Sequence, residues 1–367
     1  MTNVLPLRSF EVEGYRAIRH LRLPQLERVN LFVGLNNAGK TSLLEAVQLY
    51  TSRTPRTVLA GILRERSGLR PRFSAGRERE VTGAQVSAAV DSVRALFYGV
   101  FSGVVGDTIN LGPAAEGDER LTISLPWVGA ALTDTGDPLE MELFLGADSP
   151  LIEIQRGTET AVLSLDWFLR RFGVTLTGTR SSTVYIPAQG LDSTRVSDLW
   201  DQVAAAGFAE RVEEVLRTVL PELERIYLLG EPASSGRSVA LQLRGTSRPV
   251  PLSSMGDGTT RVFAIALSCV RARRGTLLVD EVENGLHHSV QREVWTALFD
   301  LAEKLDVQVF ATTHSWDAVV GFQAAANRST AEGILYRLER EPDGGVYAER
   351  YTEQEVAVAA DHQIEVR

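Results

Sequence analysis

Eight residues constrain this chain more than the rest of it. Gly34-Leu35-Asn36-Asn37-Ala38-Gly39-Lys40-Thr41 fits the pattern G-x-x-x-x-G-K-[ST]. In that pattern glycines let successive backbone N–H groups turn toward one anion, and the lysine ammonium reaches it as a compact point charge. The flanks agree. Arg28 to Val33 is a short apolar run that reads as a buried strand, and Ser42 to Tyr50 carries Leu43, Leu44 and Val47 at helical spacing. Strand, loop and helix in that order aim a helix N-terminus at a phosphate. The motif therefore predicts a nucleotide held by Asn36, Asn37, Ala38, Gly39, Lys40, Thr41 and Ser42, with Lys40 at the β- and γ-phosphates and the Thr41 hydroxyl on Mg²⁺. Cation usage sharpens the point. Of 38 Lys and Arg residues only Lys40 and Lys304 are lysine, which leaves 36 arginines. An ammonium has been kept in the loop where arginine's planar fork is too bulky.

Composition narrows the remaining choices. The formal net charge is −9, which argues against a general nucleic-acid coat but not against a local basic patch. Cys269 is the only cysteine, so no internal disulfide forms, and its apolar neighbours make it core filler rather than a nucleophile. The N-terminus lacks a basic segment followed by an apolar one, and the longest nearly continuous apolar run, Val262 to Val270, is too short to span a bilayer. The expectation is a soluble, cytoplasmic protein.

Three stretches follow one another. Residues 1–50 are the first part of an ATPase lobe, within which residues 8–50 read as strand, strand, loop and helix. Residues 51–180 form an insertion lobe. It opens with Arg53, Arg56, Arg64, Arg66, Arg70, Arg72, Arg77 and Arg79, continues with a helix around Val90 to Val100, and ends in alternating runs. Those runs, Leu121 to Leu125, Leu139 to Phe144 and Leu151 to Ile154, predict half-exposed antiparallel strands. Residues 181–367 return to α/β. Strands are predicted at Thr183–Ile186, Val239–Arg244, Thr276–Asp280 and Val307–Ala311. Helices are predicted over Val196–Leu220, Thr259–Ala272 and His287–Lys304, and a hairpin joins Ile334–Leu338 to Val346–Tyr351.

Four further segments bear on nucleotide chemistry. Leu277-Leu278-Val279-Asp280-Glu281 is an apolar strand ending in two acids, where an open α/β sheet places its ligands. Asp280 is the candidate Mg²⁺ ligand and Glu281 the candidate general base. Leu252-Ser253-Ser254-Met255-Gly256-Asp257-Gly258 opens a helix. Taken alone it is an ordinary N-cap, and beside a phosphate loop it is a second anion site for a neighbouring subunit's nucleotide. Phe310 to Ser315 ends a strand at His314, a candidate sensor of the γ-phosphate or attacking water. Glu283 to His288 follows the acids. Its adjacent histidines make a poor metal site, because neighbours on a helix do not face one point.

In this order, GLNNAGKT, SSMGDG, LLVDEVENGLHH and ATTHS resemble the ABC-class AAA-type ATPases, including the OLD-like and the RecF- and SMC-related groups. Phe10 to Ile18 resembles that group's first strand, and Gln363 to Arg367 resembles the end of short members that lack the TOPRIM nuclease domain. The resemblance implies an α/β P-loop fold with a mixed central sheet, flanking helices and an α+β insertion. It implies ATP and Mg²⁺ as ligands, Walker A at Gly34–Thr41, Walker B at Asp280, a catalytic Glu281 and a switch histidine at His314. It also implies a signature motif centred on Ser254 and Gly256, a D-loop-like segment at Asn284–His288, a nucleotide contact from Arg16 and a Q-loop Mg²⁺ contact from Gln189. Two departures stand out. Ser-Ser-Met-Gly-Asp replaces the usual Leu-Ser-Gly-Gly-Gln, and His288 stands where proline is usual.

The leading expectation is an ATPase that dimerises head to tail around ATP and controls a separate effector, a nuclease or toxin, in phage defence. The alternative is a RecF-like DNA-repair ATPase that binds DNA. A GTPase would carry Asn-Lys-x-Asp, which is absent, and a small-molecule kinase would need an acceptor site.

Overall fold

The computed structural model describes residues 5–66, 83–99, 108–114, 119–125, 151–164, 182–230, 237–341, 345–352 and 355. Its centre is a six-stranded sheet in the order β15-β14-β3-β13-β12-β8. The members are β3 (Val29–Val33), β8 (Thr183–Ile186), β12 (Thr276–Val279), β13 (Gln308–Thr312), β14 (Gly333–Arg340) and β15 (Val346–Tyr351). All neighbours are parallel except β15, which pairs antiparallel with β14 at the edge. Every residue of β3, β12 and β13 is buried. Strands covered on both faces read as continuous apolar runs, which is why they were visible as such.

Side-chain alternation divides the core into two layers. Leu31, Val33, Leu277, Val279, Val309 and Ala311 face one layer. There they meet α4 (Ser193–Ala205), α5 (Ala209–Val219), α6 (Asp257–Arg271), α7 (Gln291–Lys304) and α8 (Trp316–Ala326). Phe32, Leu278, Phe310 and Tyr336 face the other layer, where Phe32 stacks on Phe310 at 6.3 Å and on Tyr336 at 6.1 Å. That second layer holds α1 (Lys40–Thr51), α2 (Pro55–Arg66), α3 (Gly83–Arg94) and a second sheet.

The second sheet runs β2-β1-β4-β5-β6-β7 and is antiparallel throughout. Its strands are β1 (Phe10–Tyr15), β2 (Ile18–Leu23), β4 (Thr108–Gly112), β5 (Leu121–Ser124), β6 (Leu151–Arg156) and β7 (Glu159–Ser164). Strands from residues 51–180 thus continue the sheet that β1 and β2 begin. A third, three-stranded sheet joins β9 (Leu223–Gly230), β10 (Arg237–Leu243) and β11 (Val250–Pro251) beside the helical layer.

Several elements depart from the sequence expectation. Three strands precede α1, not two. The helix expected from Val90 instead spans Gly83–Arg94, because the chain then turns so that Phe97 bridges to Tyr15 of β1. The helix expected from His287 begins as a 3₁₀ turn over His288–Val290, since the His287 ring accepts from the Ser289 N–H and caps that turn. β4, β7, β9, β11, α2 and α8 were not anticipated. The strand expected at Leu139–Phe144 and the segments around Arg70–Arg79 and Gln363–Arg367 lie outside the described residues. Among the described residues, no helix is long and apolar enough to cross a membrane.

Candidate nucleotide site

Four neighbouring parallel strands deliver four loops to one edge of the central sheet. β3 leads into residues 34–39, β13 into Thr313 and His314, β12 into Asp280 and Glu281, and β8 into Pro187–Gly190. This carboxyl edge is where an open α/β sheet takes its ligand.

The loop after β3 is tightly determined. Gly34 has φ 147°, and a Cβ there would lie 2.4 Å from the Leu338 carbonyl oxygen, so only glycine fits. Asn37 is left-handed at φ 64°, and Gly39 at φ 94° caps α1. Lys40 is the first residue of α1 and is buried. Its ammonium donates to the Gly34 carbonyl at 2.7 Å and the Leu35 carbonyl at 3.0 Å. Burial pushes the Lys40 ammonium below its usual range, while Asp280, Glu281 and Glu283 pull it back up. Asn36 and Asn37 are exposed, Ala38 is buried, and Thr41 and Ser42 are half-buried.

The acids after β12 are held one by one. Thr41 Oγ1 donates to Asp280 Oδ2 at 2.9 Å, and Thr312 Oγ1 donates to Asp280 Oδ1 at 2.6 Å. Tyr185 OH stands 3.5 Å from the same Oδ2. Glu281 is left-handed at φ 48°, a conformation costing about 1–3 kcal/mol for a non-glycine residue. Its N–H donates to Thr312 Oγ1 at 2.8 Å, and its Oε2 accepts from Asn284 Nδ2 at 2.6 Å. Asn284 also donates to the Ala188 carbonyl at 3.1 Å, which ties the loop after β8 to the acid turn.

Arg261, buried on α6, spans the same loops. Its guanidinium donates to the backbone carbonyls of Asp280 at 2.5 Å, Glu281 at 2.9 Å and Pro187 at 3.0 Å. Nothing in its motif context marks it. The available signal is a lone cation beside nine apolar or small residues, Val262 to Val270, whose helix must bury it. His314, at the end of β13, pairs through Nδ1 with Glu283 Oε1 at 3.2 Å.

The other sequence-selected residues lie nearby or apart. Arg16, left-handed at φ 54° in the β1–β2 turn, pairs with Glu45 of α1 at 2.8 Å and lies over the Tyr15 ring. Its Nη2 is buried without a hydrogen-bond partner. Glu45 is one turn beyond Thr41, so Arg16 flanks the loop helix. Gln189 is exposed in the turn after β8, whose backbone rather than side chain meets the acid turn. Ser254 ends an exposed 3₁₀ turn and Gly256 caps α6. Among the described residues, no hydrogen bond joins either of them to residues 34–42. A Cβ on Gly258 would sit 2.8 Å from the Gly285 carbonyl, so the start of α6 packs backbone to backbone against the segment after the acids. His287 and His288 are exposed, with ring centroids 4.1 Å apart. Cys269 is fully buried, and burial pushes its thiol up to about 12.

A family profile described as "AAA domain, putative AbiEii toxin, Type IV TA system" matches residues 177–321, the part that carries Asp280, Glu281 and His314. The chain is similar to an ATP/GTP phosphatase of Helicobacter pylori, 32% identical over 89 residues, which are 23% of this chain and 24% of that protein. It is similar to the DNA replication and repair protein RecF of Thioalkalivibrio sulfidiphilus, 48% identical over 46 residues, 12% of this chain and 13% of that one. These matches make the chain similar to P-loop ATPases of the ABC type, RecF among them. The chain covers a quarter or less of the length of these two relatives. An SMC head bound to the C-terminal winged-helix domain of ScpA superposes with a TM-score of 0.49 and 10% identity, covering 96% of this chain and 99% of that chain.

The donors in the site suit magnesium and nucleotide phosphates. The Thr41 hydroxyl and the Asp280 carboxylate are hard oxygen ligands on the same hydrogen bond, the set Mg²⁺ prefers. Lys40 has three N–H donors and uses two on loop carbonyls, which leaves one that could meet a phosphate oxygen.

Proposed function

We propose that the protein is a Mg²⁺-dependent ATP-binding and ATP-hydrolysing switch that dimerises head to tail around ATP and regulates a separate effector, a nuclease or toxin, in phage defence. The observation that carries the nucleotide part is the Thr41–Asp280–Thr312 hydrogen-bond chain beside Lys40, which joins the phosphate loop to the acids at 2.9 and 2.6 Å.

On this reading the residues divide the work. Backbone N–H groups of residues 36–42 and the Lys40 ammonium bind the phosphates. Thr41 and Asp280 hold Mg²⁺, which when bound neutralises phosphate charge and orients the γ-phosphoryl group. Glu281 takes the proton of the attacking water, with its carboxylate fixed by Asn284. His314 faces the water or the γ-phosphate. Arg16 would contribute a nucleotide contact, and Gln189, exposed in the turn after β8, would be the Q-loop contact to the ion. Ser254 and Gly256 are exposed and unlinked to their own phosphate loop, which favours their use on a second copy's nucleotide. The toxin–antitoxin wording of the matching family supports an effector partner.

The test is Glu281→Gln with Mg-ATP. ATP binding is expected to stay within a few-fold of wild type and turnover to fall by about 100-fold or more. Sedimentation is expected to show a dimer that depends on ATP. Wild-type turnover in this variant sinks the base assignment, and a monomer at saturating ATP sinks the dimer.

The 46-residue match to RecF supports a second reading, a DNA-binding ATPase. It requires ATP-dependent DNA binding that weakens steeply with salt. No binding at low salt leaves the effector reading ahead.

A further inference from the structure

The carboxylate bound to His314 is not the one proposed as general base. Glu281 is held by Asn284, two residues before the acid that meets the histidine. That acid is Glu283, whose side chain is 9% exposed. Glu283 Oε1 accepts from the backbone N–H of His314 at 3.0 Å and faces His314 Nδ1 at 3.2 Å. Its Oε2 is buried without a hydrogen-bond partner. Glu283 also lies close enough to Lys40 and Arg261 to act on both through its charge.

We infer that Glu283 is a positioning residue that fixes the orientation and tautomer of His314 during ATP hydrolysis, an inference that rests on the reading above. The chemistry is directional. An ionised carboxylate only accepts hydrogen bonds, so the ring nitrogen facing it carries the hydrogen. That places N–H at Nδ1 and sets Nε2 as the nitrogen that works. When the ring is neutral Nε2 accepts from water, and when the ring is charged Nε2 donates to a phosphoryl oxygen. The backbone N–H of His314 on the same Oε1 holds the carboxylate in place, so ring and main chain are registered by one oxygen. Carboxylates that orient metal-binding histidines change affinity or activity by about 10- to 100-fold when removed, and a loss of that size is expected here.

The test compares single and double variants in steady-state ATP hydrolysis with Mg-ATP. Glu283→Ala is expected to lower kcat by about 10- to 100-fold with KM within about threefold. Glu283→Gln keeps an oxygen for both N–H groups, and the backbone N–H dictates which end of the amide faces the ring. Its kcat is expected within a few-fold of wild type. Glu283→Asp keeps the charge but withdraws it by one methylene, and is expected to resemble Glu283→Ala. The double variant Glu283→Ala with His314→Ala is expected to match His314→Ala alone within about twofold, because residues acting as one unit are non-additive.

Multiplying losses in the double variant overturn the inference. So does a Glu283→Ala effect confined to KM, or a Glu283→Gln protein as slow as Glu283→Ala. Should Glu283→Ala fail to fold, the Gln-against-Asp contrast still decides. The two levels separate. Glu281→Gln at wild-type rate removes the proposed base but leaves the Glu283–His314 cycle readable, whereas additive losses sink only the role of Glu283.

Discussion

Glu11, Glu13 and His20 lie on the antiparallel sheet with ligand atoms within 4.8 Å of one another, spacing that suits a metal ion. Asp280, Glu281 and Glu283 lie at the edge of the central sheet, and their partners differ in kind. On the antiparallel sheet Arg120 pairs with Glu11 and reaches Glu13 at 3.8 Å, while His20 binds Glu11 at 2.8 Å. The acids there are neutralised by side chains of their own sheet, and a metal would have to displace an arginine. At the central sheet each acid meets a different holder. Asp280 takes two threonine hydroxyls, Glu281 an asparagine amide and Glu283 a histidine, while Lys40 hydrogen-bonds to loop carbonyls and to none of the acids. Carboxylate spacing alone therefore does not mark a working site. Charge left available, oriented by neutral donors on a strained turn, marks it better.

The largest expected difference between the clusters is in nucleotide binding. Lys40→Ala removes the ammonium and is expected to lower ATP affinity by at least about 100-fold, since one hydrogen bond to a charged group contributes about 1.5–3 kcal/mol and the charge itself adds to that. Arg120→Ala is expected to leave ATP affinity within about twofold. Calorimetric titration of both variants checks this, and equal losses would erase the contrast.

Stability gives the next difference. Arg261→Ala leaves three carbonyls near the acids without their buried donor. The expected loss is about 2–4 kcal/mol in urea unfolding. Arg120→Ala, whose side chain is 35% exposed, is expected to lose under about 1 kcal/mol. A reversal of that order would mean the central cluster is the looser one.

Thr312→Val narrows the question to one hydroxyl. The group donates to Asp280 and accepts from the Glu281 N–H. Its removal nearly conserves volume but strips both acids of a contact. The expected outcome is a stability loss of about 1–3 kcal/mol with a kcat loss of about tenfold or more. An unchanged kcat would show that the Glu281 turn holds without Thr312.

How legible all this was depends on sequence distance. The phosphate loop was readable because its glycines and lysine act within eight residues, whereas the Leu338 carbonyl that packs against Gly34 comes from the far end of the sequence and was not readable. β3, β12 and β13 were readable because burial on both faces leaves unbroken apolar runs. β4 and β7 were not, since they are short strands whose partners are β1, β5 and β6 and whose pairing appears only in the assembled sheet. Thr183, a strand start in either view, gave no hint that its strand pairs with β12 from nearly a hundred residues away. Arg261 was missed, and the contact of Glu283 with His314 was not foreseen, for the same reason. Each acts on backbone atoms or a side chain brought close by β8, β12 and β13, and residue type alone does not encode a carbonyl target.

The smallest expected effect concerns Glu11 and tests the structural half of the contrast. Burial raises its carboxyl, but hydrogen bonds from His20 and Arg120 and the charge of Arg120 outweigh that and hold it below the usual 4.5. A carboxylate lowered by folding adds stability above its unfolded value, and that contribution is lost as pH falls through the folded value. The wild type is therefore expected to exceed Glu11→Gln by under about 1 kcal/mol at neutral pH. The gap should close as pH drops below the ordinary glutamate range, with ATP turnover at neutral pH unchanged throughout. Urea unfolding of both proteins between about pH 6 and about pH 3 measures the gap. If the gap widened on acidification, Arg120 would not be what neutralises this cluster. If turnover fell with Glu11→Gln, the antiparallel sheet would be coupled to the nucleotide site after all, through β1, Arg16 and Glu45.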